Sequence, residues 1–495
     1  MRKSGILMHI TSLPGPYGVG SMGKPSFEFI DFLKKSGQSC WQMLPLTPTG
    51  YGDSPYQSCS TFAGNHYLID LPLLMEQGLL TKEEADRVQW NHSETRVDFG
   101  LLYQNRLNVL HLAYNRFQGG EAFERFCSEN GLWLPDFALF MALKEENGGK
   151  PWYEWETALK RRDPDAMWQA RQRLKDEIRF YCFIQYLFDT QWNALRSYAH
   201  EAGVEIIGDV PIYVPLDSAD VWSNPELFLL DENLDPIEVA GCPPDAFAED
   251  GQLWGNPLYR WDVHAQDNFA WWTQRLAAAG HRFDVVRIDH FRGLESYWSV
   301  PYGDETARNG KWVKGPDTAF TDAIKKALPH VQMIAEDLGY ITPEVRALRD
   351  SSGWPGMKVL EFAFDSREPS DYLPHTYTQN SVCYTGTHDN MTMRQWFETA
   401  PTEAVQYAAQ YMNLRHGENW VWGTIRTAMA SVSDLCVVQL QDYLNLGGEA
   451  RMNFPGTQTG DNWVWRAEAG CLEDDLAEKI YDMTRLYGRL KEQDL

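Results

Sequence analysis

Short, nearly unbroken apolar runs recur along the chain, and several end in polar or charged residues. Eight stand out: GILMHI (5–10), CWQMLPL (40–46), VEIIGDVPIYV (204–214), FDVVRIDH (283–290), VQMIAEDL (331–338), MKVLEFAF (357–364), VCYTGTHD (382–389) and CVVQLQDYL (436–444). Runs of this length, rich in β-branched residues and without a two-residue alternation, predict strands buried on both faces, as in a parallel sheet. Helical signals separate several of them. Pro25 and Ser26 open a segment with Phe29, Ile30, Phe32 and Leu33 on one face, and Gly37 closes it. Thr342 and Pro343 form an N-cap and first-turn pair ahead of Val345 and Leu348, with Gly353 as the stop. Strand and helix alternating over eight strands predict an α/β chain folded as a (β/α)8 TIM barrel, with residues 1–495 as one catalytic domain.

Two intervals are too long for a simple crossover. Residues 75–200, with FALFMALKEENGG and RQRLKDEIRFYCFIQYLFDTQWNALRSYAH, read as a helical insertion. Residues 215–282 read as loop-rich, and within them GCPPDAFAEDGQLWGNPLYRW (241–261) reads as an ordered active-site loop, since long loops in compact domains are usually functional. About fifty residues follow the eighth run, carrying Leu472, Leu476, Ile480, Met483, Tyr487 and Leu490 at helical spacing, which leaves no room for a C-terminal β-sandwich.

Composition narrows the partners. No 18-residue apolar run is present, and the start MRKSGILMHITSLPG has too short an apolar stretch for a signal peptide, so a soluble cytoplasmic protein is expected. The eight cysteines form no CxxC pair, which argues against a zinc site or a dense disulfide framework. No EF-hand-like Asp/Asn cluster is visible, and no metal site is expected. A net charge of −25 argues against a nucleic-acid or anionic-membrane partner, which clustered Lys and Arg would recognise. Aromatics make up 13% of the chain; most are expected in the core, and some as platforms for the apolar faces of sugar rings.

Barrel enzymes build their sites at the C-terminal ends of the strands, and three runs end there in carboxylates: Asp289, Glu336 with Asp337, and Asp389. Carboxylates gathered at one mouth, without a catalytic cysteine or a metal-ligand cluster, fit glycosidic bond chemistry. Arg287 and Asp289 are two apart on a strand and share a face, so the arginine can hold the aspartate ionised, while His290 would face away on an ideal strand. Each motif also has a plain structural explanation. RIDH can be a rim ion pair, and an acidic pair such as Glu336–Asp337 often caps the next helix.

The motifs RIDHFRG, IAEDLG, GTHDN and GDVPIY resemble the signature regions of the α-amylase superfamily. Their wider context, including GILMHITSLPGPYGVGSMG, WQMLPLTPTGYGDSPYQSCSTFAGNHYLIDL, PPDAFAEDGQLWGNPLYRW and ARMNFPG, is similar to bacterial 4-α-glucanotransferases, the amylomaltases, from about residue 4 to residue 490. The resemblance implies a retaining double displacement on maltodextrins that requires no organic cofactor. In it Asp289 would be the nucleophile, Glu336 the general acid and then base, and Asp389 the group that stabilises the distorted sugar. Arg287 would orient Asp289. His290, His388, Asp209, Tyr56 and Asn65 would hold the transferred glucose, with Tyr56 as stacking face; for Tyr56 and Asn65 the alternative is a turn-rich loop bonded to itself. Asp245, Phe247, Trp254 and Asn256 would cover the acceptor side and keep water out. With the chain starting at its first strand, soluble maltodextrin is the expected substrate. An α-glucan hydrolase of the same superfamily is the main rival, and protein partners are left open.

Overall fold

The structure, a computed structural model, describes residues 2–244, 249–365, 367, 370–457 and 459–491. Twelve strands are described: β1 (Lys3–Leu7), β2 (Cys40–Gln42), β3 (Glu205–Val210), β4 (Glu238–Cys242), β5 (Gln252–Pro257), β6 (Val285–Ile288), β7 (Ser296–Pro301), β8 (Lys311–Lys314), β9 (Gln332–Ala335), β10 (Gly356–Val359), β11 (Ser381–Tyr384) and β12 (Leu435–Gln439). All eight apolar runs become barrel strands. They close in the order β1-β12-β11-β10-β9-β6-β3-β2, every pair parallel. Each strand is shorter than its run, because the tail of the run leaves the sheet and turns over the mouth of the barrel.

The two helical signals hold. Lys24–Lys35 buries Phe29, Ile30, Phe32 and Leu33 and is followed by Gly37 at φ +69°. Pro343–Ser352 is capped by Thr342, whose hydroxyl accepts from the Val345 N–H, and ends at left-handed Gly353. The last helix, Asp474–Leu486, is followed by Arg489, which is 1% exposed and donates to the carbonyls of Lys3 (2.8 Å), Met429 (2.9 Å) and Ser433 (3.1 Å). One buried guanidinium thus ties the chain's end to the base of the barrel, its charge solvated by main-chain oxygens.

The interval between β2 and β3 is helical from Leu71 onward, ending in the long helix Lys175–Glu201. That helix grips the segment after β2. Gln185 exchanges two bonds with Gly64 (2.7 and 3.0 Å), and Gln191 does the same with Asp70 (2.7 and 3.1 Å). A Cβ on Gly64 would meet the Phe188 ring at 2.2 Å, so only glycine permits this approach. The insertion therefore fixes the loop that carries Tyr56.

The stretch 241–261 departs from expectation. Its residues 241–242 and 252–257 belong to β4 and β5, which pair antiparallel and join β7 and β8 in a four-stranded sheet of order β5-β4-β7-β8. Glycines 241 and 255 and Pro257 give these strands little local preference for extended structure. Regular pairing of β4 with Ser296–Pro301 holds them in place, while the β4–β5 register shifts between Val239 and Gly241. Residues 215–282 also contain the helices Ala219–Ser223, Trp261–Gln266 and Ala270–Arg282. No helix among the described residues is long and apolar enough to cross a membrane, and none of the eight cysteines is in a disulfide.

Candidate active site

Arg287 is the centre of the mouth. It sits on β6 opposite Asp209 of β3 in the parallel register, and its Nη1 contacts Asp209 Oδ2 at 2.5 Å and Asp289 Oδ1 at 3.0 Å. The expected Arg287–Asp289 pair is present, with Asp209 as a second anion. Arg287 and Asp209 are each 3% exposed, so the pair is largely shielded from water and its attraction only weakly screened. Asp209 Oδ2 also accepts from the Tyr56 hydroxyl at 2.8 Å, while its Oδ1 has no protein partner.

Tyr56 continues the chain of contacts. Its oxygen lies 2.8 Å from His388 Nε2, and the two rings stack at 5.2 Å with 18° between their planes. The tyrosine proton belongs on the carboxylate side, so Nε2 of His388 carries the hydrogen that Tyr56 accepts. Burial lowers the His388 pKa and keeps that imidazole neutral, while burial and Asp209 raise the Tyr56 phenol. Trp463 tilts against the tyrosine at 5.7 Å. Asn65, placed in the same subsite by the sequence, is 1% exposed, and its Oδ1 caps a short turn by accepting from the Tyr67 N–H at 2.9 Å. That is the self-bonded loop arrangement.

Beyond Ile288 the chain turns sharply. His290 is left-handed at φ +51°, a conformation that costs a residue with a Cβ about 1–2 kcal/mol. The turn aims the His290 N–H at Glu336 Oε2, 2.7 Å away, and Glu336 Oε1 accepts from the Leu338 N–H at 2.7 Å. The strained residue fixes the second carboxyl against the first. The His290 ring faces the edge of Trp254 at 4.8 Å, so β5 of the antiparallel sheet reaches the mouth through Trp254. Asn256, also on β5, is 4% exposed and accepts from Gln57 Nε2 at 3.4 Å. Asp245 and Phe247 lie outside the described residues.

Asp337 points away from Glu336, as alternate positions should. It accepts from the Met357 N–H (2.7 Å) and pairs with Arg349 (2.6 Å), locking β9 to its neighbours. Asp389 is the most open of the three candidate carboxylates, with its side chain 43% exposed. Its Oδ1 accepts from Asn453 at 2.7 Å, and Arg451 donates to its carbonyl at 2.9 Å. Asn453 and Arg451 belong to ARMNFPG, and nothing local in that segment marks them as neighbours of Asp389.

Burial raises both Asp289 and Glu336, with Glu336 pushed up to about 7, while Arg287 opposes both shifts. Glu336 adds to the rise of Asp289, while the Leu338 and His290 N–H groups work against that of Glu336. Contact with Arg287 and a side chain 28% exposed favour charge on Asp289. Glu336 is 8% exposed and has no ion-pair partner among the described residues, which favours the proton there.

A fourth carboxyl stands between Glu336 and Asp389. Glu361 follows β10, the strand between β9 and β11, and burial pushes it up to about 8 against hydrogen bonds from Asn390 and the Met391 N–H. The folded protein thus keeps this proton from its ordinary value of 4.5 up to about 8, and stability falls as pH rises through that window. Glu361→Gln, which mimics the neutral form, should raise Tm over wild type by a margin that grows from pH 5 to pH 8 and then levels off. Parallel melting curves check this; a constant margin would refute it. The grouping of metal-ligating residue types among the described residues, His111, Glu145 and Glu177 with ligand atoms within 4.8 Å, is on the helical insertion and has no part in this mouth.

A family model described as 4-alpha-glucanotransferase, of glycoside hydrolase family 77, matches residues 8–472. A 4-alpha-glucanotransferase of Clostridium butyricum is 46% identical over 97% of this chain and 100% of its own length. One of Thermus thermophilus is 47% identical over 99% of both chains. The solved structure of the Streptococcus agalactiae amylomaltase in complex with acarbose superposes with a TM-score of 0.96 at 41% identity, covering 99% of this chain and 100% of that one.

Proposed function

Because the chain belongs to the 4-alpha-glucanotransferase family and has that family's transferase activity, we propose that its mouth works by a retaining double displacement in which Asp289, Glu336 and Asp389 divide the chemistry. The carrying observation is the pairing of environments: Asp289 in contact with Arg287, and Glu336 buried, without an ion-pair partner among the described residues, and held by the His290 N–H. Ionised Asp289 attacks the anomeric carbon as protonated Glu336 gives its proton to the departing glycosidic oxygen. The C–O bond to the leaving chain breaks, and the C–O bond to Asp289 forms. Glu336, now ionised, takes the proton of an incoming 4-hydroxyl, which displaces Asp289 and restores the starting configuration. Asp389, open to the mouth and oriented by Asn453, accepts hydroxyls of the distorted sugar as positive charge develops at the anomeric carbon.

The transferred glucose fits against Tyr56, His388 and the free Oδ1 of Asp209. That the S. agalactiae amylomaltase was solved with acarbose supports an oligosaccharide in the corresponding place here. Maltotriose as sole substrate tests the activity: glucose and a ladder of longer products are expected, with little net gain in reducing ends. Glucose and maltose alone, with reducing ends rising in step, would mean a hydrolase.

Water exclusion falls to Trp254. A glycosyl-enzyme in contact with bulk water hydrolyses unless an acceptor is held and solvent kept away. Trp254 walls the His290 side of the mouth, so Trp254→Ala should raise the hydrolysed fraction of turnover severalfold, read as new reducing ends per glucose released. An unchanged fraction would remove Trp254 from this role.

A further inference from the structure

The segment from the proposed acid to the next helix is short and tightly held, yet it ends in an exposed aromatic ring. Leu338 donates to Glu336, Gly339 turns the chain at φ +82°, and Tyr340 is 71% exposed. Its carbonyl accepts from Arg292 Nη1 at 2.7 Å. Arg292 is itself 4% exposed, donates to Ser296 Oγ at 3.0 Å and lies 3.8 Å above the Trp312 ring. Ser296 is on β7 and Trp312 on β8. A buried arginine therefore fastens the main chain of Tyr340 to the same antiparallel sheet whose β5 edge carries Trp254.

The placement is directional. Glu336 protonates the leaving oxygen, so it stands on the side of the departing and incoming chains, opposite Tyr56, Asp209 and His388. Tyr340 is four residues from that acid, which puts its Cα within about 14 Å of it, a span of a few glucosyl units. Among the described residues the hydrogen bonds and ring contact of Arg292 run to Tyr340, Ser296 and Trp312, and none of these is Tyr56, Asp209 or His388. A ring on a main chain already held in place offers a stacking face at smaller entropic cost than one on a free loop.

We infer that Tyr340 is the platform of an outer acceptor subsite, stacking a glucose ring of the maltodextrin beyond the one bonded to the reacting oxygen, with Arg292 as the positioning residue that mounts it. The inference rests on the transferase reading and on Glu336 as the acid. It makes Tyr340 a determinant of acceptor length, a property the catalytic carboxylates do not set.

The test uses the full-length enzyme, α-maltosyl fluoride as fixed donor, and glucose, maltose, maltotriose and maltotetraose as acceptors. In wild type, kcat/KM for the acceptor should rise with length. In Tyr340→Ala the ratio of maltotetraose to glucose should fall about fivefold to tenfold, the scale of one lost aromatic contact. Tyr340→Phe, which keeps the ring, should retain the wild-type ratio. The side chain is exposed, so Tm should stay at its wild-type value and separate this effect from misfolding. A wild-type length profile in Tyr340→Ala, or no length preference in wild type, would overturn the platform and leave the transferase reading standing. Donor consumption without transfer to any acceptor would overturn both.

Discussion

Asp289→Ala is expected to abolish transfer and hydrolysis together, lowering kcat by at least about 10⁴-fold, the scale on which loss of a nucleophile acts. Both reactions pass through the same glycosyl-enzyme, so no acceptor, water included, can rescue the variant. The fold should persist. Arg287 keeps Asp209 at 2.5 Å, and the lost carboxyl is partly solvent-facing, so circular dichroism and Tm should stay near wild type. Azide, a small anion that fits the vacated space, should restore turnover of an activated donor and yield a β-glycosyl azide, because a single displacement inverts the anomeric carbon. Substantial turnover of maltotriose by Asp289→Ala would remove it as nucleophile.

Glu336→Gln should separate the two half-reactions. With maltotriose, whose leaving group needs a proton, the rate should fall about 10²–10⁴-fold, the range of general acid–base catalysis. With α-maltosyl fluoride, fluoride departs unaided, so the first step survives and the second, lacking its base, stalls. A burst of one equivalent of fluoride followed by slow turnover is the expected record. The pH dependence has a definite sign. Glu336 is raised to about 7 and acts first as an acid, so kcat/KM for maltotriose in the wild-type enzyme should fall as pH rises above about 7. The fluoride burst of the variant should lack that alkaline limb. A variant that binds maltodextrin normally but releases no fluoride would contradict the assignment.

The eight barrel strands were legible because a strand buried on both faces is nearly continuously apolar, and the polar residues that end several of the runs mark where the chain leaves the sheet. The position of Asp289, Glu336 and Asp389 beyond the ends of β6, β9 and β11 was legible for the same reason. The antiparallel sheet was not. Its strands, such as KWVK and SYWSVP, are partly exposed and carry mixed polarity, and β4 and β5 run through glycine and proline. Their extended form comes from pairing between segments some sixty residues apart in sequence. Asp209 as the second anion on Arg287 emerges only once β3 and β6 are neighbours in register. His290 shows a further limit: a histidine at φ +51° has no local signature, and tertiary contacts with Glu336 impose it. Asn65 was read by its neighbourhood in a familiar motif, whereas its side chain serves the turn that follows it.

The measurement that bears most directly on the mechanism is the mass of Glu336→Gln after brief exposure to α-maltosyl fluoride, quenched in acid and then digested. One added maltosyl group, carried by the peptide that contains Asp289 and localised to that residue, is the predicted result. A maltosyl group on another carboxylate, or a fluoride burst that leaves no sugar on the protein, would contradict a covalent double displacement at Asp289.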